Sequence, residues 1–226
     1  MKGKLFVIEG LDGSGKQTQT ALMYERLKRE GLRVMRVEYP NYKSESSALV
    51  KMYLRGDFGS KPSDVDAYVS STFFAVDRYA SYKTEYEDFY RNGGIVLADR
   101  YTTSNMVHQA SKITDPAEKV RYLDWLTDLE FRLYGIPMPE QVFFLDVEPA
   151  ESAQLIKERL NKFSHEEKKD IHESNLSYLE QAHLAADYCA SKYNWKTVEC
   201  AERGSLRCID EISADVWNMV ASTIEL

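Results

Sequence analysis

A glycine-rich segment near the beginning of the chain combines residue types that bind phosphate groups. It reads Gly-Leu-Asp-Gly-Ser-Gly-Lys-Gln-Thr over residues 10–18, follows an apolar run at residues 5–8 and opens a helical pattern. Glycines allow consecutive backbone N–H groups to wrap an anion, and a helix N-terminus adds positive potential. The spacing Gly10-x4-Gly15-Lys16 is the core of a P-loop, in which the lysine reaches the β- and γ-phosphates of a nucleotide. A glycine-rich turn with a surface lysine is the alternative, but it requires neither flanking element.

One position of this loop departs from the usual P-loop pattern. The Ser or Thr that normally follows the lysine and ligates Mg²⁺ is replaced by Gln17, and Thr18 comes one residue too late. A glutamine carbonyl can serve a hard cation, or a water molecule can take the place. The sequence leaves both possibilities open.

A second group of polar residues follows another buried-strand pattern at residues 95–98. The strand runs into Asp99 and Arg100, and further polar side chains follow within ten residues: Ser104, Asn105, His108 and Gln109. About twenty residues upstream, Phe74 and Arg78 are four apart and share one face of a predicted helix. An aromatic ring and a guanidinium on one face can bind a flat base. The alternative is that Phe74 belongs to the core and Arg78 is solvated.

These groups lie on a chain in which strand and helix patterns alternate. Buried strands are predicted at residues 5–8, 33–39, 95–98, 142–145 and near 198, with helices at 62–91, 120–133 and 149–160, up to about 193, and from 206. The long helix carries the predicted core stripe Val65, Val69, Phe73, Val76 and Ala80. This alternation predicts an α/β fold, with a parallel sheet covered by helices on both faces. Ligands of such sheets bind at the carboxyl ends of the strands, where every motif above falls.

Composition excludes several classes of protein. The 226 residues carry a net charge of −7, which argues against nucleic-acid binding, and no apolar run approaches the roughly 20 residues that cross a bilayer. Three cysteines without a CxxC pair predict free thiols and a cytoplasmic protein. The guanine motif of switch GTPases is incomplete, because Asn161-Lys162 lacks the aspartate. The triplet Asp57-Phe58-Gly59 has no other protein-kinase motif beside it.

Taken together, the motifs resemble the thymidylate kinase family over nearly the full length. The matching segments are Gly-Leu-Asp-Gly-Ser-Gly-Lys at 10–16, Tyr-Pro-Asn-Tyr at 39–42, Phe-x-x-x-Arg at 74–78, Asp-Arg-Tyr-x-x-Ser-Asn at 99–105, Leu-Asp-Val at 145–147 and Asp-x-x-Glu at 170–173. The resemblance implies a single domain over 1–226, a P-loop NTPase core with a five-stranded parallel sheet and a lid at about 161–171. It also implies a homodimer that transfers the γ-phosphate of ATP to dTMP, with Mg²⁺ as cofactor.

The resemblance assigns roles to individual residues. ATP is expected at the loop residues Gly10, Asp12, Gly13, Ser14, Gly15, Lys16, Gln17 and Thr18. The acceptor dTMP is expected at Asp12, Tyr42, Lys43, Phe74, Arg78, Arg100, Ser104, Asn105, His108, Gln109 and His172. Catalysis is assigned to Lys16, Asp99, Arg100 and Arg159, and metal binding to Asp12, Gln17, Asp99 and Glu173.

Three departures from the family pattern bear on these roles. Lys43 stands where many relatives have arginine, and His108 where many have a tyrosine tied to rejection of a ribose 2′-hydroxyl. The loop also lacks its own arginine, so Arg159 and the lysines at 162, 168 and 169 are expected to close over the γ-phosphate. Two other functions remain open: a deoxynucleoside kinase, whose acceptor is a hydroxyl, and a nucleotide-binding relative without turnover.

Overall fold

Five parallel strands form the centre of the molecule, as the alternating pattern predicts. The computed structural model describes residues 2–152, 154–155, 176–202 and 205–224. The sheet has the order β2-β3-β1-β4-β5, and its strands are β1 Lys4–Gly10, β2 Val34–Glu38, β3 Ile95–Asp99, β4 Gln141–Asp146 and β5 Lys196–Glu199. Two short strands, β6 Ala201–Glu202 and β7 Ser205–Leu206, pair antiparallel beside it.

Helices cover both faces of this sheet. The α-helices are α1 Lys16–Arg29, α2 Ala48–Leu54, α3 Ala67–Ser81, α4 Glu87–Arg91, α5 Thr102–His108, α6 Pro116–Thr127, α7 Leu176–Lys192 and α8 Ile209–Ile224. Residues 149–152 and 154–155 are also helical. Short 3-10 turns occur at Glu45–Ser47, Pro62–Asp64 and Ala110–Lys112, and π-helical segments at Tyr82–Tyr86 and Asp128–Leu133.

The central strand β1 is buried on both faces because it contributes to two separate cores. Leu5 and Val7 belong to the core on one side, with side chains of α5, α6 and α7. Phe6 and Ile8 belong to the other, with side chains of α1 and α8. Since successive strand residues point to opposite faces, a continuous apolar run is what a strand between two helical layers requires.

The carboxyl ends of β1, β2 and β3 are held next to one another by the sheet register. Ile8 of β1 is paired with Asp99 of β3. The Arg100 amide donates to the Ile8 carbonyl at 3.1 Å, and the Tyr39 amide donates to the Asp99 carbonyl at 3.0 Å. The three loops that carry the predicted site therefore leave the sheet side by side.

The predicted core stripe of the long helix is wrong at Val69 and Val76, although Val65 is buried. The segment at residues 62–91 is not one helix, and Val69 and Val76 of α3 are 50% and 44% exposed. The buried face of α3 carries small and polar residues instead: Ala67, Ser70, Ser71, Ala75, Asp77, Arg78 and Ser81. Ser70 and Ser71 bond to Gln109 and to the Tyr122 hydroxyl, and Arg78 lines the polar cavity described below, so burial on this face follows polar contacts and not apolar periodicity.

The helix predicted at 120–133 also changes register near its end. After Thr127 the chain continues as the π-helical segment, in which Leu133 is 60% exposed and Glu130 is fully buried. The wider turn of a π-helix rotates the residues that follow, so the apolar spacing no longer marks the inner face. The predicted helix 149–160 is helical in its described part, residues 149–152 and 154–155, and the predicted lid at 161–171 lies outside the described residues.

The free cysteines expected from the sequence are confirmed. Cys189 and Cys200 are buried, Cys208 is exposed, and all three are free thiols. Within the described ranges, no helix has the length and apolar character needed to span a bilayer.

Candidate active site

The loop between β1 and α1 has the geometry of an anion cradle. Gly13 and Gly15 adopt φ angles of +85° and +82°, which residues with a side chain rarely adopt. A Cβ at Gly10 would lie 2.6 Å from Ser14 Oγ and 2.8 Å from the Leu145 carbonyl oxygen, so this position also requires glycine. The Ser14 hydroxyl is buried without a hydrogen-bond partner among the described residues. A buried unpaired hydroxyl inside such a loop fits a phosphate oxygen.

Lys16 is held against this loop and is not the surface lysine of the alternative interpretation. Its side chain is 7% exposed, and Nζ donates to the Leu11 carbonyl at 2.6 Å. Burial, together with the nearby Arg100, lowers the pKa of Lys16 to about 8, although Asp12, Asp99 and Glu9 oppose the shift. Lys16 therefore loses its charge a little above neutral pH in the free protein.

Arg100 stands between the two motifs. Its backbone has a φ of +65°, a left-handed conformation that costs an arginine about 1–3 kcal/mol and marks a functional constraint. The guanidinium pairs with Asp12, lies 3.7 Å from Glu9 Oε1 and donates to Ser104 Oγ at 3.4 Å. These carboxylates raise the pKa of Arg100, although its burial acts in the opposite direction.

Glu9, which the sequence analysis missed, connects the P-loop to the helix that carries the acceptor residues. It is fully buried at the end of β1. One carboxylate oxygen accepts from the Gly10 amide at 3.0 Å, and the other accepts from Thr103 Oγ1 at 2.6 Å and Ser104 Oγ at 2.8 Å. Its position inside an apolar strand, next to the first glycine, was a signal that could have found it.

A cavity of about 490 Å³ lies over the P-loop. Its walls include Asp12, Gly13, Gly15, Lys16, Gln17, Thr18, Glu38, Asp99 and Arg100. Asp99 is 9% exposed, and burial is the main cause of its raised pKa. The predicted ATP-binding residues thus line this cavity or, for Gly10 and Ser14, support the loop beneath it.

A second cavity of about 260 Å³ adjoins the first. It is lined by Asp12, Tyr39, Pro40, Tyr42, Leu54, Phe74, Arg78, Arg100, Tyr101, Ser104, Asn105, His108 and Gln109. Apart from Lys43 and His172, every residue predicted for the acceptor is in this set. Asp12, Tyr39, Pro40, Tyr42 and Arg100 line both cavities, so the two meet at these residues.

Arg78 lines this cavity but is also part of a buried ion pair. Its Nε and NH2 groups donate to the two carboxylate oxygens of Glu130 at 2.7 and 2.6 Å. NH1 lies 3.4 Å from the Tyr101 carbonyl oxygen. Arg78 is 1% exposed, which rules out the solvated alternative. Sequence reasoning missed Glu130 because its partner, Arg78, lies 52 residues away along the chain.

Gln109 and Phe74 are supported from behind by Lys112. The Lys112 ammonium donates to Tyr53 Oη at 2.9 Å and to Ser70 Oγ at 3.1 Å. Ser70 in turn lies 2.8 Å from Gln109 Oε1, and the Tyr53 ring packs edge-on against Phe74. Burial lowers the pKa of Lys112 to about 7. No pattern in the sequence indicates this lysine's position.

His108 connects Arg100 to α7. Its Nε2 lies 3.2 Å from Arg100 NH1, and its Nδ1 lies 3.1 Å from Tyr178 Oη. A guanidinium can only donate, so Nε2 accepts, and the proton of the neutral imidazole sits on Nδ1 and faces Tyr178. The structure thus places His108 at the wall of the acceptor cavity as a hydrogen-bonded ring.

The loop that carries Tyr42 is anchored by Asp77 of α3. Asp77 is 1% exposed, and its two oxygens accept from the Asn41 amide at 2.8 Å and from Ser46 Oγ at 2.6 Å. Tyr42 lines both cavities from this loop. Asp77 is therefore a positioning residue for the wall that Tyr42 forms.

Lys43 is not brought into the acceptor cavity. It is exposed and lines a separate hollow with Arg36, Glu38, Asn41 and Glu85. Four further predictions, Arg159, Asp170, His172 and Glu173, fall outside the described residues.

Comparisons with known proteins agree with this geometry. The chain matches the family profile described as "Thymidylate kinase" over residues 8–205. It is 31% identical over 156 residues to the thymidylate kinase of Mycobacterium tuberculosis, covering 69% of each chain. It is 28% identical over 203 residues to the human thymidylate kinase, covering 89% of this chain and 84% of the other.

The chain belongs to the thymidylate kinase family.

The family's fold is also confirmed by a solved structure. A thymidylate kinase from Candida albicans superposes with a TM-score of 0.72 over 98% of this chain and 92% of the other, at 17% sequence identity. The resemblance seen in the motifs and the predicted P-loop NTPase core are therefore both confirmed.

The lowered pKa of Lys16 gives a prediction for this family member. The cationic ammonium that meets phosphate is present below about pH 8 and lost above it, so kcat/KM for ATP should fall about tenfold per pH unit above 8. Steady-state rates between pH 6.5 and 9.5 measure this profile.

In Lys16→Met, kcat should drop at least about 100-fold, or about 2.7 kcal/mol. The surface variant Lys28→Met is the control, and a Lys16→Met enzyme with near-normal kcat contradicts the P-loop assignment.

Asp77 gives a second prediction. Asp77→Ala leaves the Asn41 amide and the Ser46 hydroxyl without their acceptor, so the Tyr42 loop should lose its anchor. We expect KM for the acceptor dTMP to rise about five- to thirtyfold, equivalent to about 1–2 kcal/mol, while KM for ATP changes little. Kinetics with each substrate varied in turn measures the split. The exposed Asp88→Ala is the control, and equal effects on both substrates would argue against a role at the acceptor.

Proposed function

We infer that the protein transfers the γ-phosphate of ATP to dTMP, giving dTDP and ADP. The observation that carries this is the meeting of two different cavities at Asp12 and Arg100. One is built on a P-loop, and the other combines an aromatic ring, a guanidinium and two amides. A donor triphosphate in the first and a nucleotide in the second would bring their phosphates together.

The acceptor cavity suits a pyrimidine nucleotide in one orientation. Phe74 offers a ring to stack on the base, Arg78 offers a donor to a carbonyl oxygen, and Asn105 and Gln109 offer amides to the base edge. Arg100 then lies on the phosphate side, because it also borders the P-loop cavity. We propose that Arg100 exchanges its contact with Asp12 for the acceptor phosphate.

Phosphoryl transfer requires positioning and neutralisation of charge more than covalent chemistry by the protein. In this proposal Lys16 and the loop amides hold the β- and γ-phosphates, and Arg100 holds the acceptor oxygen in line with the γ-phosphorus. Glu9 keeps the P-loop and α5 at a fixed separation through its hydrogen bonds with Gly10 and Ser104. We further propose Arg159, with the lysines at 162, 168 and 169, as the cations that meet the charge developing on the γ-phosphate.

The oxygen donors beside the P-loop fit Mg²⁺. Asp99, Glu38 and the amide of Gln17 line the same cavity as Lys16. Such hard oxygens suit Mg²⁺, which would neutralise charge on the phosphates when bound. We propose Asp99 and Gln17 as its protein ligands together with water, and Glu173 from the segment beyond. Asp12 pairs with Arg100, so we assign it to the acceptor site in preference to the metal.

Phosphorylation of a nucleoside hydroxyl is the competing reaction. Contacts with Asp12, Ser104 and His108 hold Arg100 between the two cavities in a strained backbone conformation. A nucleoside presents no phosphate to this guanidinium. The monophosphate therefore makes fuller use of the site. A relative without turnover is not favoured either, since Lys16, Arg100 and Asp99 converge on one place.

A direct comparison of acceptors tests the function. With ATP as donor, the protein should phosphorylate dTMP at least about 100-fold more efficiently than thymidine, since about 3 kcal/mol of charged contact is lost with the phosphate. A coupled assay of ADP release with product identification measures both rates. Efficient use of thymidine would identify a nucleoside kinase, and ADP release without dTDP would overturn the transfer.

We also propose that the enzyme is a homodimer. The apolar residues Val69 and Val76 lie seven positions apart on α3, hence on one face, and both are exposed. Tyr79 of the same helix is 40% exposed and contacts Tyr134, which follows exposed Leu133. These four positions, Val69, Val76, Tyr79 and Leu133, form an apolar surface that a second copy would cover. The predicted stripe on α3 thus marks an interface instead of the core.

Val76→Asp tests the dimer. A charge buried in an apolar interface is costly, so the variant should be monomeric at concentrations where the native protein is dimeric. Sedimentation velocity measures the state, and circular dichroism checks that the fold is retained. Leu184→Asp, at an exposed apolar residue of α7, is the matched control and should stay dimeric. A native protein that sediments as a monomer contradicts the proposal.

A cytoplasmic location is proposed as well. Its support is the three free cysteines, two of them buried, which a reducing compartment maintains.

A further inference from the structure

The ion pair between Arg78 and Glu130 lies against the acceptor cavity and has unusually complete geometry. Both oxygens of Glu130 are bound by Arg78, and Thr102 Oγ1 donates a third hydrogen bond at 2.8 Å. Glu130 is fully buried and Arg78 is 1% exposed. Water therefore does not screen the pair, and its charges act at short range in a medium of low dielectric constant.

The first consequence of this pair is orientation. A guanidinium has five N–H groups, any of which can turn toward a ligand. Here Nε–H and one N–H of NH2 are bound to Glu130, and NH1 lies 3.4 Å from the Tyr101 carbonyl oxygen, which leaves the opposite edge, with the remaining N–H groups of NH1 and NH2, to donate into the cavity. Glu130 therefore determines which part of Arg78 a base can reach.

The second consequence concerns charge. Glu130 raises the pKa of Arg78 against the effect of burial, so Arg78 stays protonated and the pair sums to zero charge. The titratable groups that face the pair are Tyr39, Tyr101, Tyr122 and Tyr134, and burial raises the pKa of each, so they stay neutral too. The remaining charged or titratable side chains that line the cavity are Asp12, Arg100, Tyr42 and His108.

We propose that Glu130 is a specificity-determining positioning residue that makes this part of the cavity accept a neutral pyrimidine ring and reject one deprotonated at N3. This rests on the proposed function, which supplies a thymine-like base as the occupant. An unpaired guanidinium would attract a ring anion, whereas a neutral, buried wall leaves that anion without compensation. Glu130 thus converts Arg78 from a cation into a directed hydrogen-bond donor.

The native enzyme provides the first test. Fluorine at C5 withdraws electrons, so 5-fluoro-2′-deoxyuridine monophosphate loses its N3 proton at lower pH than dTMP does. The ratio of its KM to that of dTMP should rise about tenfold for each pH unit above the pKa of its N3. Because dTMP is measured at the same pH, titration of Lys16, His108 or the phosphate cancels. A ratio that stays flat overturns the proposal.

Variants then assign the effect to Glu130. In Glu130→Gln the guanidinium is unpaired, so the ratio should rise no more than about twofold over the same pH unit, and KM for dTMP should increase at least about fivefold with kcat within about twofold. Thr102→Val removes the third hydrogen bond and keeps the ion pair, so it should retain the native rise. A Glu130→Gln enzyme with the native rise overturns the proposal.

A double variant covers the case in which Glu130→Gln does not fold, since one buried charge left alone is strongly destabilising. Arg78→Leu with Glu130→Leu removes both charges and keeps the wall neutral. It should retain the tenfold rise while KM for both nucleotides increases, and a flattened ratio would overturn the proposal. Turnover of dTMP by the native enzyme in the same assays checks the proposed function separately, because its absence would remove dTMP as the acceptor whatever Glu130 does.

Discussion

The structure of the site depends on a carboxylate buried at the end of the central strand. Glu9 accepts hydrogen bonds from the first amide of the P-loop and from the hydroxyls of Thr103 and Ser104, which open α5. Its charge also lies 3.7 Å from Arg100. A buried carboxylate must keep such partners, because losing them leaves an uncompensated charge. The P-loop and α5 are therefore held together by a buried interaction whose loss would be strongly destabilising.

The parts of the site that the sequence predicted share one property. Each of them is recognisable from residues a few positions apart in the sequence: the P-loop, the strand-end pair Asp99–Arg100 and the Phe74–Arg78 pair. Chain geometry alone then places them, since parallel strands bring their carboxyl ends to one edge. This is why nearly all predicted acceptor residues line one cavity.

The parts that sequence reasoning missed are partners contributed by distant segments. Glu130 lies 52 residues from Arg78, and Lys112 lies 59 residues from Tyr53. Apolar periodicity misplaced Leu133 because a π-helical turn alters the register, and it misread α3 because an apolar stripe does not identify the surface that covers it. Buried polar side chains need a partner that only the tertiary fold supplies.

The contact between His108 and Tyr178 has a consequence for how the enzyme responds to its ligands. Tyr178 belongs to the first turn of α7, and His108 joins it to Arg100. A ligand that draws Arg100 toward itself changes the hydrogen bond at Nε2 of His108. Because Nδ1 of the same ring bonds to Tyr178, the position of α7 changes with it. Thermodynamic linkage makes this reciprocal: a ligand that favours one placement of α7 changes the affinity for the acceptor, and the acceptor changes the affinity for that ligand by the same factor. Two hydrogen bonds of one imidazole ring thus couple the acceptor cavity to α7.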